Sequence, residues 1–170
     1  MRIEKLTLLM TKKIIPLLLF VFLAGSAFCQ SAIGLRKIAP FQITLTNGKP
    51  YNASQLAPGP VVLMYFSPDC DHCQEFTKAL LKNYTVMTNK QLVMITFQSM
   101  EMTKKFEKDY NLAAYPNIKL GTEGTSYLVQ KYYQIRSFPY LAMYDKTGKL
   151  VKIYEGEQPY TEIFKTLKQF

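Results

Sequence analysis

Histidine and cysteine are scarce in this 170-residue chain: one His, His72, and three Cys, at 29, 70 and 73. That scarcity narrows the metal chemistry. A structural zinc site takes four ligands, and Cys70, His72 and Cys73 are three crowded residues with no second cluster. Copper delivery through a CxxxC and a distant histidine is excluded as well, because the spacing is CxxC and the one His lies inside it. No cofactor is implied. Internal repeats and low-complexity stretches are missing too. Lys plus Arg outnumber Asp plus Glu by 21 to 12, a formal charge of +9. The basic residues are scattered singly or in pairs, however, which reads as a solvated surface with no nucleic-acid partner.

Long apolar runs are lacking. The longest, Ile14–Ala24, is well short of the ~20 residues a membrane span needs. Lys12 and Lys13 precede it and Gly25-Ser-Ala-Phe-Cys29 follows, the order of a secretory signal peptide. Residues 1–29 are therefore expected to be the leader and 30–170 the domain, placed in the periplasm or otherwise outside the cytoplasm. Cys29 also admits a reading as a lipid-carrying cysteine, although Phe28 before it is a poor fit. Membrane contact is expected only through such a lipid or an uncleaved leader. Without residues 1–29 the chain keeps 141 residues and a net charge of +6, ample for a single core. Two cysteines remain, in a compartment that permits disulfides.

These two sit in Tyr65-Phe-Ser-Pro-Asp-Cys-Asp-His-Cys73. Val61–Met64 leads in as a buried strand. Phe76, Ala79, Leu80, Tyr84 and Met87 follow at helical spacing. Cys70 is thus expected at or just before the first helical turn, where free N–H groups and the helix dipole favour a thiolate. Cys73, one turn on, is placed to attack a disulfide formed by Cys70.

In the rest of the domain, Phe41–Leu45 alternates and Asn47-Gly48 marks a hairpin. Asn52–Leu56 reads as a short helical turn and Gln91–Phe97 as a second buried strand. Ser99 caps a helix carrying Met102, Phe106 and Tyr110. Pro116, Gly121 and Gly124 break residues 111–126 into loop, with a short strand near Ile118. A helix over Tyr127–Tyr133 follows, then a strand Pro139–Tyr144, a turn Asp145–Gly148 and its partner Lys149–Tyr154. Pro159 opens a last helix with Tyr160, Ile163, Phe164 and Leu167 on one face. The pattern predicts an α/β domain with a mixed sheet.

With the CxxC on the first helix of that pattern, the chain resembles the thioredoxin-fold thiol–disulfide oxidoreductases, in their exported TlpA-like (redoxin) branch. The resemblance spans Leu35 to Phe170. It rests on Asn47-Gly48-Lys49, Ser67-Pro-Asp-Cys-Asp-His-Cys73, Ser137-Phe-Pro139 and Tyr144-Asp-Lys-Thr-Gly148-Lys, in the family's order. It implies a thioredoxin-like fold, a central mixed β-sheet flanked by helices with an N-terminal β-hairpin extension. It further implies Cys70 as nucleophile, Cys73 as resolving cysteine and a redox-active disulfide between them. The Phe138–Pro139 bond is expected to be cis, lying against the CxxC and pairing with bound substrate backbone, with Tyr140 lining the groove. The partners implied are protein thiols and disulfides together with a redox donor or acceptor protein that the sequence does not name.

His72 stands where disulfide isomerases and periplasmic oxidases also carry His, and is expected to stabilise the Cys70 thiolate. Asp69 and Asp71 flank the sulfur and oppose it. Two features depart from the family. The chain has no Trp, with Asp69 and Phe66 at the usual places. Met64 replaces the buried acid expected six residues before Cys70, which leaves water or Glu75 to take the Cys73 proton. A peroxiredoxin, hinted at by Ser67, fails at Leu63, where proline is required. The expected function is disulfide exchange with partner proteins, as a reductase. The alternatives are a disulfide oxidase or isomerase, and a non-catalytic binding module whose CxxC is a fixed disulfide, although so short a loop stabilises little.

Overall fold

The structure, a computed structural model, describes residues 37–170. The leader, Cys29 and the expected domain start at Gln30 lie outside them.

Seven strands and four helices alternate along the described chain. They are β1 (Gln42–Leu45), β2 (Pro50–Asn52), β3 (Val61–Tyr65), α1 (Asp71–Lys82), β4 (Gln91–Thr96), α2 (Met100–Asp109), β5 (Ile118–Thr122), α3 (Leu128–Tyr133), β6 (Tyr140–Tyr144), β7 (Leu150–Glu155) and α4 (Tyr160–Gln169). The strands form one mixed sheet in the order β2-β1-β5-β4-β3-β6-β7. β3 pairs in parallel with β4 and antiparallel with β6. This is the thioredoxin-like α/β fold, with the N-terminal β1–β2 hairpin attached through β5.

Strand alternation sends side chains to two cores. Val62, Met64, Leu92, Met94, Leu141 and Met143 face α1, α2 and α4, meeting Phe76, Leu80, Phe106, Ile163 and Leu167. Val61, Leu63, Tyr65, Val93, Ile95, Tyr140 and Tyr144 face the other way, toward Val129 and Tyr133 of α3. Every residue of β3 is buried, which explains its unbroken apolar run: a central strand covered on both faces has no polar side to show.

The hairpin turns as its Asn-Gly pair requires. Gly48 has φ +82°, and its N–H donates to the Leu45 carbonyl at 2.8 Å. The 111–126 region is more ordered than its glycines and proline suggest. Gly121 does not break the chain there but lies inside β5, a five-residue strand joined to both β4 and β1. A Cβ at Gly121 would stand 2.6 Å from the Thr44 carbonyl oxygen, so glycine lets β1 close on β5. The following helix starts one residue later than expected, because Tyr127 adopts φ 48°.

Candidate active site

β3 delivers the motif. After Tyr65 the chain leaves the sheet through Phe66, whose N–H still donates to the Ile95 carbonyl at 3.0 Å. It turns at Ser67-Pro68-Asp69, with the Cys70 N–H bonded to the Ser67 carbonyl at 3.1 Å. Cys70 is the N-cap of α1, with extended backbone (φ −86°, ψ 116°). Its sulfur takes the place of a capping oxygen: the Cys73 N–H donates to it at 3.3 Å. A negative sulfur at this position also meets the positive end of the helix dipole.

The two cysteines are free and differ sharply. Cys70 is half-buried, whereas Cys73 is fully buried. The Cys73 thiol points at the Cys70 sulfur across 2.7 Å. Burial pushes the Cys73 thiol well above its ordinary pKa, and the bond to Cys70 pushes in the same direction. The Ser67 N–H opposes them. The carboxylate whose field reaches Cys73 is that of Asp69. Glu75 is exposed and lines a different groove, with Glu157 and Tyr160. Met64, expected as the substitute for a buried acid, is fully buried among apolar neighbours.

The flanking charges are all at the surface. Asp69, Asp71 and His72 are exposed. Asp71 occupies the first turn of α1, a position where a carboxylate favours the helix. The His72 Nε2 lies 3.9 Å from a Glu157 carboxylate oxygen. Among the described residues no hydrogen bond joins it to Cys70.

On the neighbouring strand, the Phe138–Pro139 peptide is cis. The β3–β6 ladder ends at Tyr65↔Tyr140. Continuing its register sets Pro139 beside Phe66, at the same edge of the sheet from which the CxxC departs. Phe138 is half-buried and packs on both cores, with its ring 5.8 Å from Tyr65 and 5.9 Å from Phe97. Tyr140 requires a correction. It is 2 % exposed and its ring lies against Tyr133 at 5.3 Å, so it is core and cannot line a surface groove. It is the first residue of a central strand, and the strand's alternation turns its side chain inward on the face opposite α1.

Two supporting residues, Glu155 and Gln98, escaped the sequence reading. Glu155 accepts from the Arg136 and Ser137 N–H groups at 2.5 and 3.0 Å, and so holds the loop before Phe138. Gln98 donates to the Ser67 hydroxyl at 3.1 Å, and that hydroxyl donates to Asp69. Local sequence carries no signal for Glu155, since it acts across 18 and 19 residues. Ser67, two residues before Asp69, does carry the pattern of a local side-chain turn.

The family model for the thioredoxin-like domain matches residues 52–170. The chain belongs to the thioredoxin-like domain family. No curated protein matches it in sequence. Among solved structures it is similar to a secreted Mycobacterium tuberculosis disulfide oxidoreductase homologous to E. coli DsbE, at 18% identity and TM-score 0.65, covering 77% of this chain and 96% of that one. It is similar also to the thioredoxin domain of a Bacteroides vulgatus thiol–disulfide oxidoreductase, at 19% identity and TM-score 0.64, covering 81% and 99%. A third is an exposed lipoprotein thioredoxin of Streptococcus pneumoniae, at 24% identity and TM-score 0.54, covering 76% and 98%. These likenesses establish the fold. Within the thioredoxin-like frame, the CxxC of this chain lies at the strand-to-helix turn after β3, and the cis proline directly precedes β6, the strand paired with β3.

Proposed function

We propose that this protein is an exported, TlpA-like thiol–disulfide oxidoreductase that exchanges disulfides with partner proteins and works as a reductase. The observation that carries the reading is the pair of sulfurs. One is half-exposed at a helix N-terminus, and the other is buried 2.7 Å behind it.

The Cys70 thiolate attacks one sulfur of a partner disulfide, forming a mixed disulfide and expelling the partner's other sulfur as a thiolate, which takes up a proton. Cys73 then loses its proton and attacks the Cys70 sulfur, releasing the partner's second thiolate. Two electrons have passed to the partner, and the protein holds a Cys70–Cys73 disulfide. The two sulfurs already adjoin, as formation of that bond requires. The backbone of Phe138 and Pro139 lies at the sheet edge from which the CxxC departs and is proposed to hold an extended partner segment. A separate redox protein must return the electrons. Export rests on the leader pattern in residues 1–29; no helix among the described residues is long and apolar enough to cross a membrane.

The direction of flow rests on His72. An oxidase gains its potential from a stabilised thiolate, and the one histidine of the motif meets a Glu157 carboxylate and makes no hydrogen bond to Cys70 among the described residues. The reduction potential tests this: a value near about −270 mV fits a reductase and one near about −120 mV an oxidase. Insulin reduction tests the chemistry itself. The wild type is expected to be active and Cys70→Ser inert; equal inertness of two folded proteins would make this a binding module instead.

A further inference from the structure

Beside the CxxC lies a groove that the sulfur chemistry does not use. It runs between the start of α1 and the exposed side of α2 and encloses about 330 Å³. Pro68, Met102, Phe106 and Tyr110 form its apolar lining. Phe106 is buried, and Tyr110 stacks on it with ring centroids 4.4 Å apart, so the wall is held by the core behind it. Three charged residues also line the groove: Asp69, Lys105 and Asp109. Lys105 and Asp109 neutralise one another at 2.5 Å. Asp69 has no cationic partner among the described residues, and its carboxylate is fixed by the Ser67 hydroxyl. One negative charge is thus left over at the groove. Asp69 directly precedes Cys70, so the groove begins one residue, about 3.8 Å of chain, from the cysteine that would carry the mixed disulfide.

We propose that this groove docks the segment of a partner protein flanking its reactive cysteine, taking one large apolar side chain against Phe106 and Tyr110 and a Lys or Arg beside Asp69. The proposal rests on the redox reading above. It commits to a cationic partner segment because the local charge is opposite to that of the whole chain. The net charge of +6 without residues 1–29 would attract acidic partners at long range, whereas Asp69 and the neighbouring Asp71 repel an acidic segment at the point of attack. An extended segment advances about 3.3 Å per residue, so the side chains read by the groove fall within two or three residues of the partner cysteine.

The test uses reduced protein and three synthetic heptapeptides, each supplied as a symmetrical disulfide dimer through its central cysteine. The cysteine is flanked on both sides by Leu and Lys, by Leu and Glu, or by Gly and Lys. Hydroxyethyl disulfide, small and neutral, serves as the reference. In low salt the Leu–Lys peptide is expected to react at least about three-fold faster than either of the others, the scale of one exposed charge pair. Asp69→Asn should bring the Lys and Glu peptides within two-fold of each other while keeping the preference for Leu over Gly. Met102→Ala with Tyr110→Ala should do the reverse. If hydroxyethyl disulfide reacts but the three peptides agree within two-fold in the wild type, the groove proposal is overturned and the redox reading stands. If hydroxyethyl disulfide fails to react with a folded protein whose thiols are reduced, both fall.

Discussion

The two faces of the sheet are built from different chemistry. Against α1, α2 and α4 the core is Met, Leu, Val and Phe, and its one reactive group is the Cys73 sulfur. Against α3 it is rich in tyrosine and carries a buried carboxylate, and several of its polar groups hold fixed partners. The Tyr65 hydroxyl donates to Glu123 at 2.7 Å; the second oxygen of Glu123 accepts from the Val129 N–H at 3.0 Å. Tyr133 accepts from the Ala39 N–H at 2.9 Å and shares a proton with the Tyr144 hydroxyl at 2.7 Å. The polar face is thus anchorage, and the apolar face carries the thiol on which the proposed exchange depends. In that proposal a thiol kept protonated by apolar burial attacks only once its neighbour is captured, whereas paired hydroxyls and carboxylates hold loops in place.

Moving an acid from one face to the other is the hardest test of that division. Met64→Asp sets a carboxyl into the fully buried position six residues before Cys70, where no partner awaits it. The cost is expected to be about 3–5 kcal/mol of stability, the scale for an uncompensated buried charge, read from urea unfolding. In return, release of a trapped mixed disulfide by Cys73 should speed up near neutral pH, because the thiol gains a base. A variant that is destabilised but resolves no faster would show that proton transfer from Cys73 does not limit the cycle.

Removing an anchor from the polar face should cost less. Tyr133→Phe deprives the buried Ala39 N–H and the Tyr144 hydroxyl of a partner, an expected loss of about 1–3 kcal/mol. Disulfide exchange at Cys70 should be unchanged. A fall in exchange rate at unchanged stability would mean that the two faces are coupled.

Much of this division could be read from residue order. The unbroken run Val61–Met64 and the Asn47-Gly48 turn report on neighbours close in sequence, and each matched the structure; the helical spacing after Cys73 held through Leu80, while Tyr84 and Met87 fall in a separate short 3-10 turn beyond α1. Gly121 and Tyr140 misled for one common reason: their roles depend on a strand from elsewhere. Gly121 looks like a breaker until β1 lies against it. Tyr140, next to a proline at a loop, looks exposed until β3 and α3 close over it. His72, expected to stabilise the Cys70 thiolate, also meets a residue distant in sequence: Glu157, from the loop before α4, lies 3.9 Å from its ring.

The contact of His72 with Glu157 gives the smallest expected effect. Its ring is half-exposed, and its contact with Glu157 spans 3.9 Å, so solvent screens whatever charge it carries. His72→Ala should therefore move the reduction potential by less than about 30 mV, the change that one tenfold step in a two-electron equilibrium brings. Glu157→Gln is the complementary variant. It frees the imidazole from its carboxylate, and if His72 then swings toward Cys70 the thiolate gains a donor, the reduced form is favoured and the potential rises. A large drop in potential for His72→Ala alone would mean that the ring already acts on the sulfur, and the protein would have to be moved toward the oxidase end of its family. A null result for His72→Ala beside a rise for Glu157→Gln would show a histidine held in reserve, its influence set by the acidic residue that the α4 end of the fold presents to it.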